Sequence, residues 1–89
     1  MKRIHVKISG RVQGVVFRYS LYVLAILHKI KGWVRNLNNE EVEAVFEGEE
    51  ENLKKILEFC KNGPLLAKVK EIETKEERYK GESEFKVLK

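Results

Sequence analysis

The hydrophobic residues of this 89-residue chain repeat with two different periods, one typical of strands and the other typical of helices. Apolar and polar residues alternate over 4–9, which predicts a half-buried strand that ends at Gly10. Residues 18–29 carry apolar side chains at helical spacing, so the strand leads through the segment 11–17 into a first helix. His28 stands where a glycine would normally end such a helix, and we expect a left-handed residue and a frayed helix end there.

The middle of the chain predicts a hairpin and then a second helix. Residues 32–37 and 42–47 have the pattern of two strands, and the two asparagines between them supply turn chemistry. Glutamates at 49–51 suit the positive end of a helix dipole, and Gly63 with the following proline ends that helix. Its apolar stripe consists of Leu53, Ile56, Leu57 and Cys60.

The last part of the chain predicts a fourth strand and a short closing strand. Val69 and Ile72 are out of phase for one face of a strand, which indicates a bulge near Lys70 and Glu71. Apolar residues at 85–88 form the closing strand. The resulting order predicts an α+β fold, the ferredoxin-like βαββαβ sandwich. Two helices then cover one face of a mainly antiparallel sheet, and residues 1–89 form a single domain.

Composition restricts the setting and the partners of the chain. The 18 basic residues exceed the 14 acidic ones and the two signs are interspersed, which gives only a mild preference for anions. The lone Cys60 agrees with a reducing compartment. No apolar run approaches the ~20 residues that cross a bilayer, and the N-terminus lacks the pattern of a signal peptide. We expect a soluble cytoplasmic protein without a membrane partner, and the Lys and Glu enrichment suggests a thermophilic source.

A nucleic-acid partner is not expected. Sheets of this fold bind RNA through aromatic side chains on the exposed face. Here the third strand carries Glu41, Glu43 and Glu47 between its apolar residues, and these glutamates are expected to point outward and repel phosphates.

The segment before the first helix is the strongest candidate for a site. Unpaired backbone N–H groups at a helix start, together with a glycine-containing turn, bind anions of the size of phosphate. Arg18 in the first helical turn could add a bidentate contact. Spacing alone leaves a plain connection with a solvated arginine equally open. Asn36 ends the second strand and could hold a water, or it could simply enter the turn.

Several phosphatase chemistries are excluded by the residues themselves. The chain contains no Asp, so an aspartyl-phosphate nucleophile is impossible. Leu66 follows Cys60 at the position where a cysteine phosphatase has its arginine. His5, His28 and Cys60 do not have the spacing of a metal cluster. We expect His5 to point outward from its strand, and Cys60 and Trp33 to be packing residues.

Four motifs follow one another along the chain: GRVQGVVFR at 10–18, GWVRN at 32–36, VEAVFEG at 42–48 and GPLLAKV at 63–69. Together they closely resemble the acylphosphatase family over nearly the whole chain. The resemblance implies the ferredoxin-like fold and hydrolysis of a carboxyl-phosphate anhydride to carboxylate and phosphate, without a metal or another cofactor. It implies a small acyl phosphate as substrate, competition by inorganic phosphate or sulfate, and a monomer.

The resemblance also assigns roles to residues of this chain. Arg18 completes the phosphate cradle, and Asn36 orients the attacking water. The backbone amides of the phosphate-binding loop belong to Arg11, Val12, Gln13, Gly14, Val15, Val16 and Phe17. Many relatives have glycine in place of Val16 and in place of His28, which bears on rate and stability more than on activity. A catalytically idle domain kept for binding is the alternative function.

Overall fold

The computed structural model describes residues 1–12, 15–38, 40–63 and 68–88, with only the backbone at Val15 and Asn38. In chain order the elements are β1 (Lys2–Arg11), α1 (Val15–Leu27), β2 (Lys31–Asn38), β3 (Glu41–Gly48), α2 (Glu50–Asn62), β4 (Lys68–Glu77) and β5 (Phe85–Val87). The order confirms the predicted ferredoxin-like arrangement and its short closing strand.

The strands form one sheet in the order β4-β1-β3-β2-β5. Three neighbouring pairs are antiparallel, and β5 runs parallel to β2. The predicted hairpin is the β2–β3 pair. No helix in the described ranges is long and apolar enough to cross a membrane.

Both helices pack on one face of the sheet, because every second strand residue there is apolar. This helix-bearing face receives Val6 and Ile8 from β1 and Val34 from β2, each fully buried. The helices contribute Phe17, Leu21, Ala25, Leu53, Ile56 and Cys60 to the same core, and β3 contributes Val42, Ala44 and Phe46. The prediction that Cys60 packs inside is confirmed, and burial raises the pKa of its thiol to about 12.

The predicted bulge lies in β4. Ser9 pairs with Glu71 whereas Gly10 pairs with Val69, so Lys70 is the extra residue. Gly10 has a φ of +125°, and a Cβ atom there would lie 2.2 Å from the Lys68 carbonyl oxygen. Only glycine fits this position.

The end of β1 and the start of α1 differ from expectation. The prediction that the strand ends at Gly10 is wrong, because pairing with β4 continues to Arg11. The helix was predicted from Arg18, yet it begins at Val15. The segment 11–17 is therefore mostly regular structure, and Gln13 and Gly14 lie outside the described residues.

The left-handed residue at the end of α1 is Lys29, with a φ of +57°, and not His28. The Ile30 N–H donates to the Ala25 carbonyl at 2.8 Å and the Lys29 N–H to the Ile26 carbonyl at 3.3 Å. These two bonds form a Schellman motif, in which the residue after the helix cap takes the left-handed conformation. The buried Ile30 anchors this end, and the left-handed position lies one residue later than the sequence pattern suggested.

The other face of the sheet is crossed by the segment 78–84, which joins β4 at one edge to β5 at the opposite edge and which we call the strap. The prediction that Glu47 points into solvent is wrong, because the strap covers it and its side chain is 1% exposed. Its carboxylate accepts the backbone N–H groups of Lys80 and Glu82 at 2.8 and 2.6 Å. The Arg3 guanidinium donates to the same carboxylate at 3.0 Å.

Arg3 and Glu47 stay charged in this buried cluster. Burial favours the neutral form of Glu47, but the two strap N–H groups and Arg3 outweigh it and hold the pKa of Glu47 below its usual value. Burial likewise acts to lower the pKa of Arg3, and its hydrogen bonds to Glu82, Glu47 and Glu77 raise it overall. The cluster therefore fixes the strap by charge-assisted hydrogen bonds.

Candidate active site

The sheet brings the carboxyl ends of β1 and β2 to the same end of the molecule. Ser9 of β1 pairs with Glu41, and Asn36 of β2 pairs with Val42, so both strands finish beside the start of β3. The Gly10 N–H donates to the Glu40 carbonyl at 3.0 Å and fixes this end of the sheet. α1 begins at Val15, only four positions after β1 ends at Arg11, so the helix start and Asn36 lie at one end of the sheet.

The first turn of α1 offers backbone donors to an anion. The first N–H groups of a helix have no partner within it, and in the described part of α1 they belong to residues 15–17. The first turn contains no acidic side chain, so nothing on the helix itself neutralises its positive end. Such an end attracts a phosphate-sized anion.

Arg18 is the fourth residue of α1 and is half-buried. Its Nε atom is buried and has no hydrogen-bond partner. Buried polar atoms are nearly always paired, because an unpaired one costs free energy of unfolding. The orphaned Nε therefore singles out this side chain for a role other than stability.

Asn36 shares this property with Arg18. Its Oδ1 atom is buried without a hydrogen-bond partner, and these are the two such side-chain atoms among the described residues. Alternation along β2 places Asn36 on the same face as the buried Val34, which is the helix-bearing face. The alternative that Asn36 merely enters a turn does not hold, because it lies within β2 and pairs with Val42.

The other residues of the predicted loop divide into two groups. Val12 and Phe17 are buried in the core, and Phe17 lies 6.0 Å from Phe59 between ring centroids. Arg11 is exposed in β1 opposite Lys68, and Val16 is 66% exposed. The buried pair anchors the backbone on both sides of Gln13 and Gly14, which lie outside the described residues.

A second group of titratable side chains with defined partners lies on the strap side of the sheet. His5 Nε2 lies 2.5 Å from Glu43 Oε2, and Arg35 donates to Glu43 Oε1 at 2.7 Å. Burial acts to raise the pKa of Glu43, but the hydrogen bonds of His5 and Arg35 hold it below its usual value. The Arg35 guanidinium also lies 5.5 Å from the centre of the Trp33 ring. Within the described ranges no three His, Cys, Asp or Glu side chains come together as metal ligands.

Sequence reasoning did not single out the outer face of α1. Tyr19 is 61% exposed there, next to Arg18 in the chain. The signal was available, because Arg18 is the only charged residue of this 13-residue helix. A helix whose outer face is exposed to water normally carries several charged residues on that face.

Three comparisons place the chain among known proteins. A family model described as Acylphosphatase matches residues 4–87. An acylphosphatase of Pyrobaculum aerophilum is 48% identical over 90 residues, which cover 99% of this chain and 95% of that protein. One of Syntrophus aciditrophicus is 44% identical over 89 residues, with 99% and 93% covered. The crystal structure of acylphosphatase from Bacillus subtilis superposes with a TM-score of 0.93 at 37% identity, and both chains are covered in full.

Proposed function

The chain belongs to the acylphosphatase family and hydrolyses acyl phosphates, and on that basis we propose that Arg18 and Asn36 are its catalytic residues. The observation that carries the proposal is the pair of orphaned polar atoms, Arg18 Nε and Asn36 Oδ1. They lie at one end of the sheet, beside the free backbone donors of α1. Unpaired buried atoms of this kind are typical of a site that binds an anion and a water, because each atom gains a hydrogen-bond partner when the substrate binds.

The phosphoryl group lies against the helix start. Unpaired N–H groups of the loop from Arg11 to Phe17 donate to its oxygens, among them those of residues 15–17 at the helix start, whereas the Val12 N–H bonds the Gly10 carbonyl at 3.0 Å. Arg18 adds a charged contact to the same group. Their charge offsets the negative charge of the phosphoryl oxygens in the transition state, so catalysis is electrostatic.

Asn36 positions the nucleophile. Its Oδ1 accepts a hydrogen bond from a water, which attacks phosphorus in line with the acyl oxygen. The bond between phosphorus and the acyl oxygen breaks, and the acid leaves as a carboxylate. A carboxylate is a stable anion, so the reaction needs no general acid. The water's proton passes to a phosphate oxygen, and no side chain has to accept it.

We also propose the conditions under which the enzyme acts. The reaction is metal-independent, inorganic phosphate and sulfate compete with the substrate, and the enzyme acts as a monomer in the cytoplasm. The buried, unreactive thiol of Cys60 supports a reducing compartment. The richness in Lys and Glu supports a thermophilic source. A catalytically idle domain is not favoured, because idleness would leave the two orphaned atoms without a reason.

The test measures phosphate released from benzoyl phosphate in the presence of EDTA. Arg18→Ala and Asn36→Ala are each expected to lower kcat by roughly 10²-fold to 10³-fold, as removal of one electrostatic donor does elsewhere. Arg35→Ala is the matched control, since Arg35 precedes Asn36 but pairs with Glu43 on the strap side. It is expected to keep kcat within about threefold. The assignment is wrong if folded Arg18→Ala or Asn36→Ala protein is as active as the Arg35→Ala protein.

A further inference from the structure

The outer face of α1 is apolar along its whole length. Six of its side chains form a continuous exposed surface, which we call the apolar stripe: Val16, Tyr19, Tyr22, Val23, Ile26 and Leu27. Their exposed fractions run from 36% at Tyr22 to 68% at Leu27. A surface helix normally presents charged residues to water, and an apolar patch of this kind is often functional.

The stripe begins at the proposed phosphate site. Val16 is the second residue of α1, and Tyr19 is its neighbour one turn later. Side chains of a helix tilt toward its N-terminus, so Val16 and Tyr19 reach back to the helix end that receives the phosphoryl group. The Tyr22 ring stacks on Tyr19 with 6.3 Å between centroids and 23° between planes, which extends the flat surface.

We infer that Val16 and Tyr19 bind the acyl group of the substrate, and that the enzyme prefers acyl phosphates with an aromatic or other apolar acyl group. This inference rests on the proposed function, because the phosphoryl position at the helix start fixes where the acyl group begins. The phosphoryl group is common to all acyl phosphates, so the acyl group is the part by which a substrate can be selected. Val16 and Tyr19 offer it apolar contact.

A second copy of the chain fits the stripe less well. Six side chains with these exposures offer on the order of 500 Å², so a symmetric pair would bury roughly 1,000 Å², the lower limit for a specific interface. A partner along the stripe would also cover Val16 and obstruct the helix end at which the substrate enters. An acyl group would contact only Val16 and Tyr19, in the first one and a half turns of α1.

The test compares kcat/KM for benzoyl phosphate with kcat/KM for acetyl phosphate in each variant. Tyr19→Ala is expected to lower the benzoyl-to-acetyl ratio roughly threefold to tenfold, which is the effect of losing one aromatic contact. Tyr19→Phe is expected to keep the ratio, because the ring remains. Ile26→Ala is the matched control, since Ile26 is 56% exposed on the same face but lies about 10 Å further along the helix.

The outcomes separate this inference from the proposed function. An unchanged ratio in Tyr19→Ala overturns it, as does an equal fall in Ile26→Ala. Sedimentation velocity decides about a second copy, because a wild-type dimer that Tyr19→Ala dissociates would assign the stripe to an interface and overturn acyl binding. Arg18→Ala tests the phosphate site separately and is expected to lower both rates equally. If it leaves acetyl phosphate hydrolysis intact, the assignment of Arg18 to the phosphate site fails.

Discussion

Replacing Glu47 by alanine is expected to destabilise the fold strongly, although Glu47 lies far from the candidate site along β3. The carboxylate accepts two strap N–H groups, at 2.8 and 2.6 Å, and the Arg3 guanidinium at 3.0 Å. Removing one partner of a buried ion pair costs about 3 to 5 kcal/mol of unfolding free energy. Arg3 keeps Glu77 and Glu82 as partners, so we expect about 3 kcal/mol.

Glu77→Ala is the matched control for this prediction. Glu77 also bonds Arg3 at 3.0 Å, but its side chain is 34% exposed and binds no strap N–H group. An exposed ion pair contributes at most about 1 kcal/mol. The two variants therefore compare the same arginine partner with and without burial and backbone hydrogen bonds.

Guanidinium chloride unfolding followed by circular dichroism measures both variants. For a domain of this length each 1 kcal/mol lowers Tm by roughly 4 to 8 °C, so Glu47→Ala should lower Tm by roughly 12 to 24 °C. The reasoning is refuted if Glu47→Ala loses less than about 1 kcal/mol, or no more than Glu77→Ala loses. The strap would then be held by something other than this carboxylate.

Three further variants or conditions test other features. Lys29→Gly should raise the unfolding free energy by about 0.5 to 1 kcal/mol, because glycine relieves the φ of +57°, whereas His28→Gly should not; thermal unfolding that ranks them in reverse would contradict the Schellman assignment. Asn36→Ala should lose activity without losing stability, because it removes an unpaired buried atom; a loss above about 1 kcal/mol would show that Asn36 stabilises the fold. The folded-state pKa values of Glu43 and Glu47 lie below the ordinary 4.5. Tm should therefore stay level above about pH 5 and fall in more acidic buffer as these carboxylates are protonated. A Tm independent of pH down to pH 3 would contradict this.

The fold could be predicted from the sequence because its signals are local. Alternation within β1 and the helical spacing in α2 each involve neighbouring residues, and burial of one face produces them directly. The bulge at Lys70 was also visible in the sequence. Val69 and Ile72 must both reach the core, although their odd spacing would place them on opposite faces of a regular strand. The local pattern was enough to predict an element wherever burial of one of its faces determines the structure.

The errors arose where distant segments decide the structure. Glu47 has the strand spacing of an exposed residue, and only the strap, more than 30 residues later, buries it. The strand pairing that extends β1 to Arg11 depends on β4 in the same way. At the site, the residue roles of Arg18 and Asn36 came from a resemblance, because spacing alone could not tell a phosphate cradle from a plain turn. Their orphaned atoms required three-dimensional placement.

The position of β1 in the sheet has a consequence for how the protein is made. The first strand lies between β3 and β4, and Arg3 pairs with Glu77. Most of the chain must therefore leave the ribosome before β1 can pair with β4. Contacts this distant in sequence also slow folding. We expect β1 to stay incompletely paired until β4 has been synthesised. Until then the half-made chain presents the apolar side of β1 to other chains in the cell, which makes early release or chaperone binding important for its yield.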